Sequence, residues 1–415
     1  MTNITSIVRL LELLLLIALI VILATRRLRI PYTLGLVVVG LAASLSGFFP
    51  GVHLTPDLVL FVFLPALLFE GAWSIETKHL RQNWFHIFLL VGPGLLICVV
   101  SIALPLHFFA GINWLTAFLL GAILSPTDPV AVLGLLRQSK VDVNLSSIIE
   151  GESLLNDGVA GALYSIFLSL ILLSMQGQSP AGFQPWLNSF LLFLLEAGDG
   201  TLIGLAGGFI VSRLVRLIDE PLIETTITIV TAYGIYLLAD TLHTSGILAV
   251  IFAALLLGSY GRRTGMAEHT LEAVDNFWSV IAFIANALVF LLVGAELNPA
   301  RFLSSTSLSS LLITAGITVV AVLLSRLIVV LMLPWLTQPL IPPTLWSFLP
   351  ASWRVVIFWS GLRGALSLAL VLALPLNIPS HDSLVASTYA VVFFTLLVQG
   401  FTLRFVLKGP PSVSK

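Results

Sequence analysis

Charge is scarce in this chain. Asp, Glu, Lys and Arg together make up 9% of 415 residues, against roughly a quarter in a soluble domain, so a water-facing globule is excluded. Cysteine is nearly absent as well. Cys98 stands alone in an apolar run, which excludes a disulfide framework and a Cys-based metal site and leaves packing as its role. The seven histidines form no His-x-x-x-His or Glu-flanked zinc pattern, and His243 reads as interfacial rather than as a pH sensor. A net charge of −1 gives nucleic acid nothing to bind. The N-terminus lacks a basic leader and a small-residue cleavage site, so residues 7–25 read as a retained span.

What the chain has instead is apolar length. Hydrophobic residues reach 58% and mean hydropathy is +1.08, the composition of an all-α polytopic membrane protein. Thirteen apolar segments can be drawn: 7–25, 31–47, 57–74, 84–109, 113–137, 145–174, 187–216, 222–239, 244–260, 271–296, 303–333, 351–374 and 384–406. Segment 7 is too long for an untilted span, and a start after Gly198-Asp199-Gly200 would shorten it. Loops are short, so one membrane domain fills residues 1–415, and only Gly409-Pro410-Pro411 and a few polar residues follow residue 408, with no soluble regulatory tail.

Basic residues fix an expected orientation. Arg26, Arg27 and Arg29, Lys78 and Arg81, Arg137 and Lys140, Arg213 and Arg216, Arg262 and Arg263, Arg354, and Arg404 and Lys408 fall on alternate ends of the segments. The loops near 48–56, 110–112, 175–186, 240–243 and 375–383 contain no Lys or Arg, and Arg301 breaks the pattern. The N-terminus is expected outside and the C-terminus in the cytoplasm. Segments 1–6 (about 7–174) and 8–13 (about 222–406) then form two six-helix sets of opposite orientation, joined by linker segment 7 (about 187–216), the arithmetic of an inverted repeat. The fifth member of each set is broken: segment 5 by Ser125-Pro126-Thr127-Asp128-Pro129, whose prolines remove backbone donors, and segment 12 by the glycines of Gly361-Leu362-Arg363-Gly364. Interrupted helices at corresponding places in two halves point to a transport site.

The densest polar stretch is Glu150-Gly151-Glu152-Ser153-Leu154-Leu155-Asn156-Asp157. At about 100° per residue, Glu152 and Asn156 stack on one side of a helix and Ser153 and Asp157 on the adjoining side, with Ala160 continuing the flank. Ionisable groups at membrane depth mark a transport pathway by default. Asp157, Asp128, Arg363 and Glu70 each lie roughly 12–15 residues inside their segments, or about 18–22 Å at ~1.5 Å per residue, which puts all four near mid-membrane. Glu152 and Arg326 match in depth closer to the cytoplasm and could pair between segments 6 and 11.

Hard monovalent cations want oxygen ligands, and an unwound helix offers free carbonyls beside side-chain oxygens. Thr127, Asp128, Ser153 and Asp157 supply such oxygens. Asp157 is the carboxylate for which cation and proton compete. Arg363 and Asp128 can offset the exposed half-helix ends, and Asn156 is a neutral group able to hydrogen-bond both helices. Glu70 reads equally as a ligand or as an orienting acid, the Glu152–Arg326 pair as a structural tie, and Glu150 as a funnel residue. The bland reading of Asp128 is a helix cap in a loop.

Three blocks, Ser125-Pro126-Thr127-Asp128-Pro129-Val130-Ala131-Val132, Glu150 to Gly158, and Gly361-Leu362-Arg363-Gly364-Ala365, resemble the signature blocks of monovalent cation/proton antiporters of the NhaP-type and animal NHE-type branch. The resemblance extends to Thr244-Ser245-Gly246 and to Phe393-Phe394-Thr395. It implies sodium/proton exchange without a cofactor, by an elevator-like movement in a homodimer embedded in a lipid bilayer of bacterial type. It also implies a cation held by Asp157, Ser153, Thr127, Asp128 and Glu70. Glu152 and Arg326 match that family's ion bridge, and Asn156-Asp157 in place of two acids resembles its electroneutral members. Potassium/proton exchange remains open, since oxygen ligands alone do not set cation size. A cation channel would tolerate a continuous pore rather than a buried titratable site. An intramembrane enzyme would need a nucleophile motif such as Gly-x-Ser-x-Gly, which is missing.

Overall fold

The computed structural model describes residues 4–28, 31–46, 55–128, 132, 136, 141–177, 183–296, 308–337 and 350–407. Arg29, Pro129, Val130, Ala131, Arg137, Lys140, Arg301, Lys408 and the segment 409–411, all used in the sequence reading, lie outside the described residues. The described chain is built of helices: α1 (Ile4–Leu28), α2 (Tyr32–Leu45), α3 (Leu58–Ser74), α4 (Trp84–Ala110), α5 (Trp114–Leu124), α6 (Val143–Met175) and α7 (Phe183–Val215) come first. They are followed by α8 (Pro221–Thr241), α9 (Gly246–Thr264), α10 (Glu268–Glu296), α11 (Leu308–Thr337), α12 (Ala351–Trp359), α13 (Ala365–Leu372) and α14 (His381–Leu403). Among the described residues, nine are long and apolar enough to cross a membrane, and α2, α3 and α5 are shorter apolar helices. The outer faces of α1 and α7 carry exposed Leu16, Leu19, Ile20, Leu23, Leu195, Leu202 and Ile210, as expected of surfaces that meet acyl chains rather than water.

Polar side chains close the helix ends that the chain leaves open. Asn113, Asp142 and Ser245 accept from the backbone N–H of Leu115, Asn144 and Leu248 at the starts of α5, α6 and α9. Gly111 ends α4 at φ 69°, a left-handed conformation that glycine adopts without strain.

Segment 7 differs from the expectation of a late start. The helix α7 runs unbroken through Gly198, Asp199 and Gly200. The reason is packing. A Cβ on Gly200 or Gly208 would stand 2.5 or 2.8 Å from the carbonyl oxygens of Ser245 and Ala253, and one on Gly204 would crowd that of Ala249 closer still. Glycines four apart on α7 thus face small residues four apart on α9, which lets two membrane helices touch backbone to backbone. A break at Gly200 would forfeit the first of those contacts.

Side-chain bonds sort the helices into two groups. In one, α3, α8, α9 and α10 are tied: Trp73 Nε1 donates to Asp275 at 2.6 Å, Arg262 pairs with the same carboxylate, Trp278 Nε1 donates to Thr228 at 2.9 Å, and the Tyr233 hydroxyl donates to the Val62 carbonyl at 2.9 Å. A backbone bond from Ser245 to Glu196 joins α7 to α9. The other group comprises α5, α6 and α11–α14 and is bonded around the two helix breaks.

Candidate functional site

The break after α5 begins where Pro126 has no N–H to offer. The carbonyl of Ala122 accepts instead from Ser125, from its N–H at 3.4 Å and its hydroxyl at 2.9 Å. The last carbonyls of this half-helix, those of Ser125 and Pro126, accept from Arg363 Nη1 at 2.5 and 2.9 Å. The break between α12 and α13 is closed in the same way. The Ile357 carbonyl accepts from the Ser360 hydroxyl at 2.9 Å and from Arg326 Nε and Nη2 at 3.3 and 3.1 Å. Each broken helix therefore ends its first half on a buried guanidinium, the charge that suits a helix C-terminus. The two breaks also touch: Asp128 N–H donates to the Leu362 carbonyl at 2.8 Å, and the Asp128 side chain lies against Gly364, which precedes the N-terminus of α13.

The face pattern of α6 resolves as its periodicity requires. Glu152 and Asn156 turn away from the break. Glu152 is buried and receives both terminal nitrogens of Arg326, Nη1 onto Oε1 and Nη2 onto Oε2 at 2.9 Å, a bidentate pair. Asn156 Nδ2 donates to Glu152 at 3.4 Å, while its buried Oδ1 has no hydrogen-bond partner. Asn156 thus bonds along its own helix and not across to a neighbour, because residues four apart stack on one flank. Arg326 serves both Glu152 and the end of α12, a capping role that segment matching alone does not reveal.

Ser153 and Asp157 take the other side, and there the Ser153 hydroxyl donates to the Thr127 carbonyl in the α5 break. With its proton so directed, Ser153 Oγ keeps lone pairs for a cation. These residues line a cavity of about 340 Å³ that also takes in Glu70, Thr127, Asp128 and Glu150. Ser153 and Thr127 are buried, whereas Glu70, Asp128 and Asp157 keep partial access to the cavity. All five residues expected to hold a cation therefore share one chamber. Arg363 does not line it; fully buried behind the α5 break, it has Nε and Nη2 without hydrogen-bond partners.

Sequence reasoning missed part of the wall. Tyr32 from α2, and Ser279, Phe283 and Asn286 from α10, complete the chamber. The signal was present: Ser279, Phe283 and Asn286 recur at helical spacing, and Asn286 interrupts an otherwise apolar run. Phe283 meets Tyr32 with ring centroids 5.6 Å apart.

The Glu152–Arg326 pair makes a checkable energetic claim. Removing either partner singly is expected to cost ~3–5 kcal/mol, because it strands a buried charge. Neutralising both should cost less than the sum of the singles. Arg326 should be the worse single loss, since the Ile357 carbonyl then keeps only the Ser360 hydroxyl of its three donors. Additive losses in detergent unfolding would mean that the pair is not a coupled unit.

Residues 14–409 match the sodium/hydrogen exchanger transmembrane family. The chain is 38% identical to the low-affinity Na+/H+ antiporter NhaS1 of Synechocystis over 92% of its length and 70% of that protein's. It is 32% identical to the Na+/H+ antiporter NhaH of Halobacillus aidingensis, covering 95% of this chain and 96% of that one. The fold is similar to that of the sodium proton antiporter MjNhaP1 from Methanocaldococcus jannaschii, with a TM-score of 0.76 at 17% identity over 98% of this chain and 99% of that one. A family match that spans nearly every helix, the two broken ones included, places this chain in the sodium/hydrogen exchanger family.

Proposed function

We propose that the protein exchanges Na+ or Li+ for H+ across a membrane, one for one, at Asp157. The observation that carries this reading is the chamber at the crossing of the two breaks. The α6 carboxylate of Asp157 faces it beside Ser153, Thr127 and Asp128, two turns deeper than Glu150, while Asn156 is turned onto Glu152. A single carboxylate that holds either a proton or a cation, never both, is the minimum an exchanger needs. The names of the relatives, Na+/H+ antiporters, support the same pair of substrates.

The division of side-chain bonds supports an elevator movement. One body (α5, α6, α11–α14) carries the cation oxygens and slides against the other (α3, α7–α10), and a homodimer anchors the second body in the bilayer. Thirteen crossings in two inverted sets, with the N-terminus outside and the C-terminus cytoplasmic, fit the distribution of basic residues. An opening toward the basic ends is supported by two lining residues on that side, Ser74 at the close of α3 and Ser279 in the first half of α10, which are exposed.

Purified protein in vesicles holding a proton gradient tests the reading directly. Na+ or Li+ should collapse the gradient, at a rate indifferent to a clamped membrane potential. Collapse by K+ alone would replace sodium with potassium as the substrate. A rate that follows the potential would break the one-for-one count, and flux without proton movement would point to a channel.

A further inference from the structure

The chamber has two walls, and the residues expected to hold the cation come mainly from one of them. Thr127, Asp128, Ser153 and Asp157 belong to the body bonded through Arg326 and Arg363. On the facing wall Asn286 is 5% exposed, lines the chamber, and has no hydrogen bond to its carboxamide among the described residues. The carboxamide faces the chamber with no group among the described residues to satisfy it, so it is left to whatever enters the chamber. Its oxygen is a neutral hard ligand, of the kind that suits a monovalent cation as an amide carbonyl does.

The helix that carries Asn286 belongs to the other body. α10 is bonded to α3 and α9 through Asp275 and to α8 through Trp278. It also presses against α2 where Gly294 meets the Val37 backbone. A ligand fixed in that body can reach the cation in the conformation described here and not in one where Asp157 has slid away.

We propose that Asn286 is a cation ligand supplied by the facing body, present only while the chamber opens toward the basic ends, so that the two faces of the membrane see different sodium affinities. This rests on the exchange reading above. It makes the cation site complete on one face; on the other, Asn286 stays behind with Glu70 of α3 in the facing body.

Everted and right-side-out membrane vesicles carrying the full chain present sodium to opposite faces. Asn286→Leu, which keeps the bulk and removes the oxygen, should raise the apparent Na+ constant about tenfold at the basic face, the worth of one ligand to a charge. At the opposite face it should move less than about twofold. Asn286→Asp, which keeps the oxygen and adds charge, should lower the constant at the basic face. A folding defect would shift both variants in one direction on both faces. Equal shifts on the two faces, no shift at the basic face, or a rise with Asn286→Asp would overturn the assignment. Wild-type vesicles without Na+-driven proton movement would instead overturn the exchange reading itself, so the two failures are distinguishable.

Discussion

Vesicles containing Asp157→Asn are expected to show no cation-driven proton movement above that of protein-free vesicles, although the variant folds and inserts. The substitution changes one oxygen to an NH2 group and leaves volume and packing nearly unaltered. It removes the only titratable group that α6 presents to the chamber besides Glu150, which stands two turns nearer the basic end. An amide cannot release a proton to admit a cation, nor take one for the return step. In the wild type the same competition fixes a pH dependence. On the acid side of the Asp157 pKa the apparent Na+ constant should rise about tenfold for each unit the pH falls, since each unit is a tenfold change in the protonated fraction. On the alkaline side the constant should level off, while turnover declines because the empty carrier must return with a proton. The acid limb of the bell-shaped rate should move to lower pH as sodium is increased. A limb that stays fixed at every sodium concentration would assign the proton to another group, with Glu150, Glu70 and His243 the first to substitute. Full exchange by Asp157→Asn would remove Asp157 from the site altogether.

Much of this chamber was legible in the sequence, for a reason specific to membranes. Where nearly everything is apolar, each polar group is a signal, and helical spacing says which way it points. The split of α6 into a Glu152–Asn156 side and a Ser153–Asp157 side follows from 100° per residue alone. Depth counting brought Glu70, Asp128 and Asp157 into one layer because helices rise by a constant amount. What periodicity could not supply is contact between elements distant in sequence. The capping of α12 by Arg326 depends on where Ile357 falls after two helices have crossed. A late start for α7 suggests itself from the length of segment 7 alone, and only the facing Ser245, Ala249 and Ala253 show its glycines to be a packing surface within one long helix. Asn286 went unnoticed because one neutral amide in an apolar run means little until the facing wall is known.

Gly364→Ala is expected to damage the protein more than any other single methyl group placed in the chamber wall. At the crossing of the breaks a Cβ on residue 364 would overlap the Asp128 side chain, with its Cγ only 2.5 Å away. Neither side has room to yield. Asp128 N–H is bonded to the Leu362 carbonyl, Arg363 N–H to the Thr395 hydroxyl at 3.2 Å, and the Arg363 guanidinium to the end of α5. The methyl group must therefore either push the Asp128 carboxylate out of the chamber or part the two breaks. Overpacking usually costs about 1–3 kcal/mol, and here it is compounded by strain on hydrogen bonds to a buried charge. The expected result is a clear fall in thermal stability together with loss of exchange. The double variant Gly364→Ala with Asp128→Gly separates the two effects. Removing the Asp128 side chain removes the overlap, so stability should recover; exchange should not, because a chamber oxygen beside the α13 N-terminus is gone. A Gly364→Ala protein with wild-type stability and full exchange would mean that the two breaks do not touch at this point.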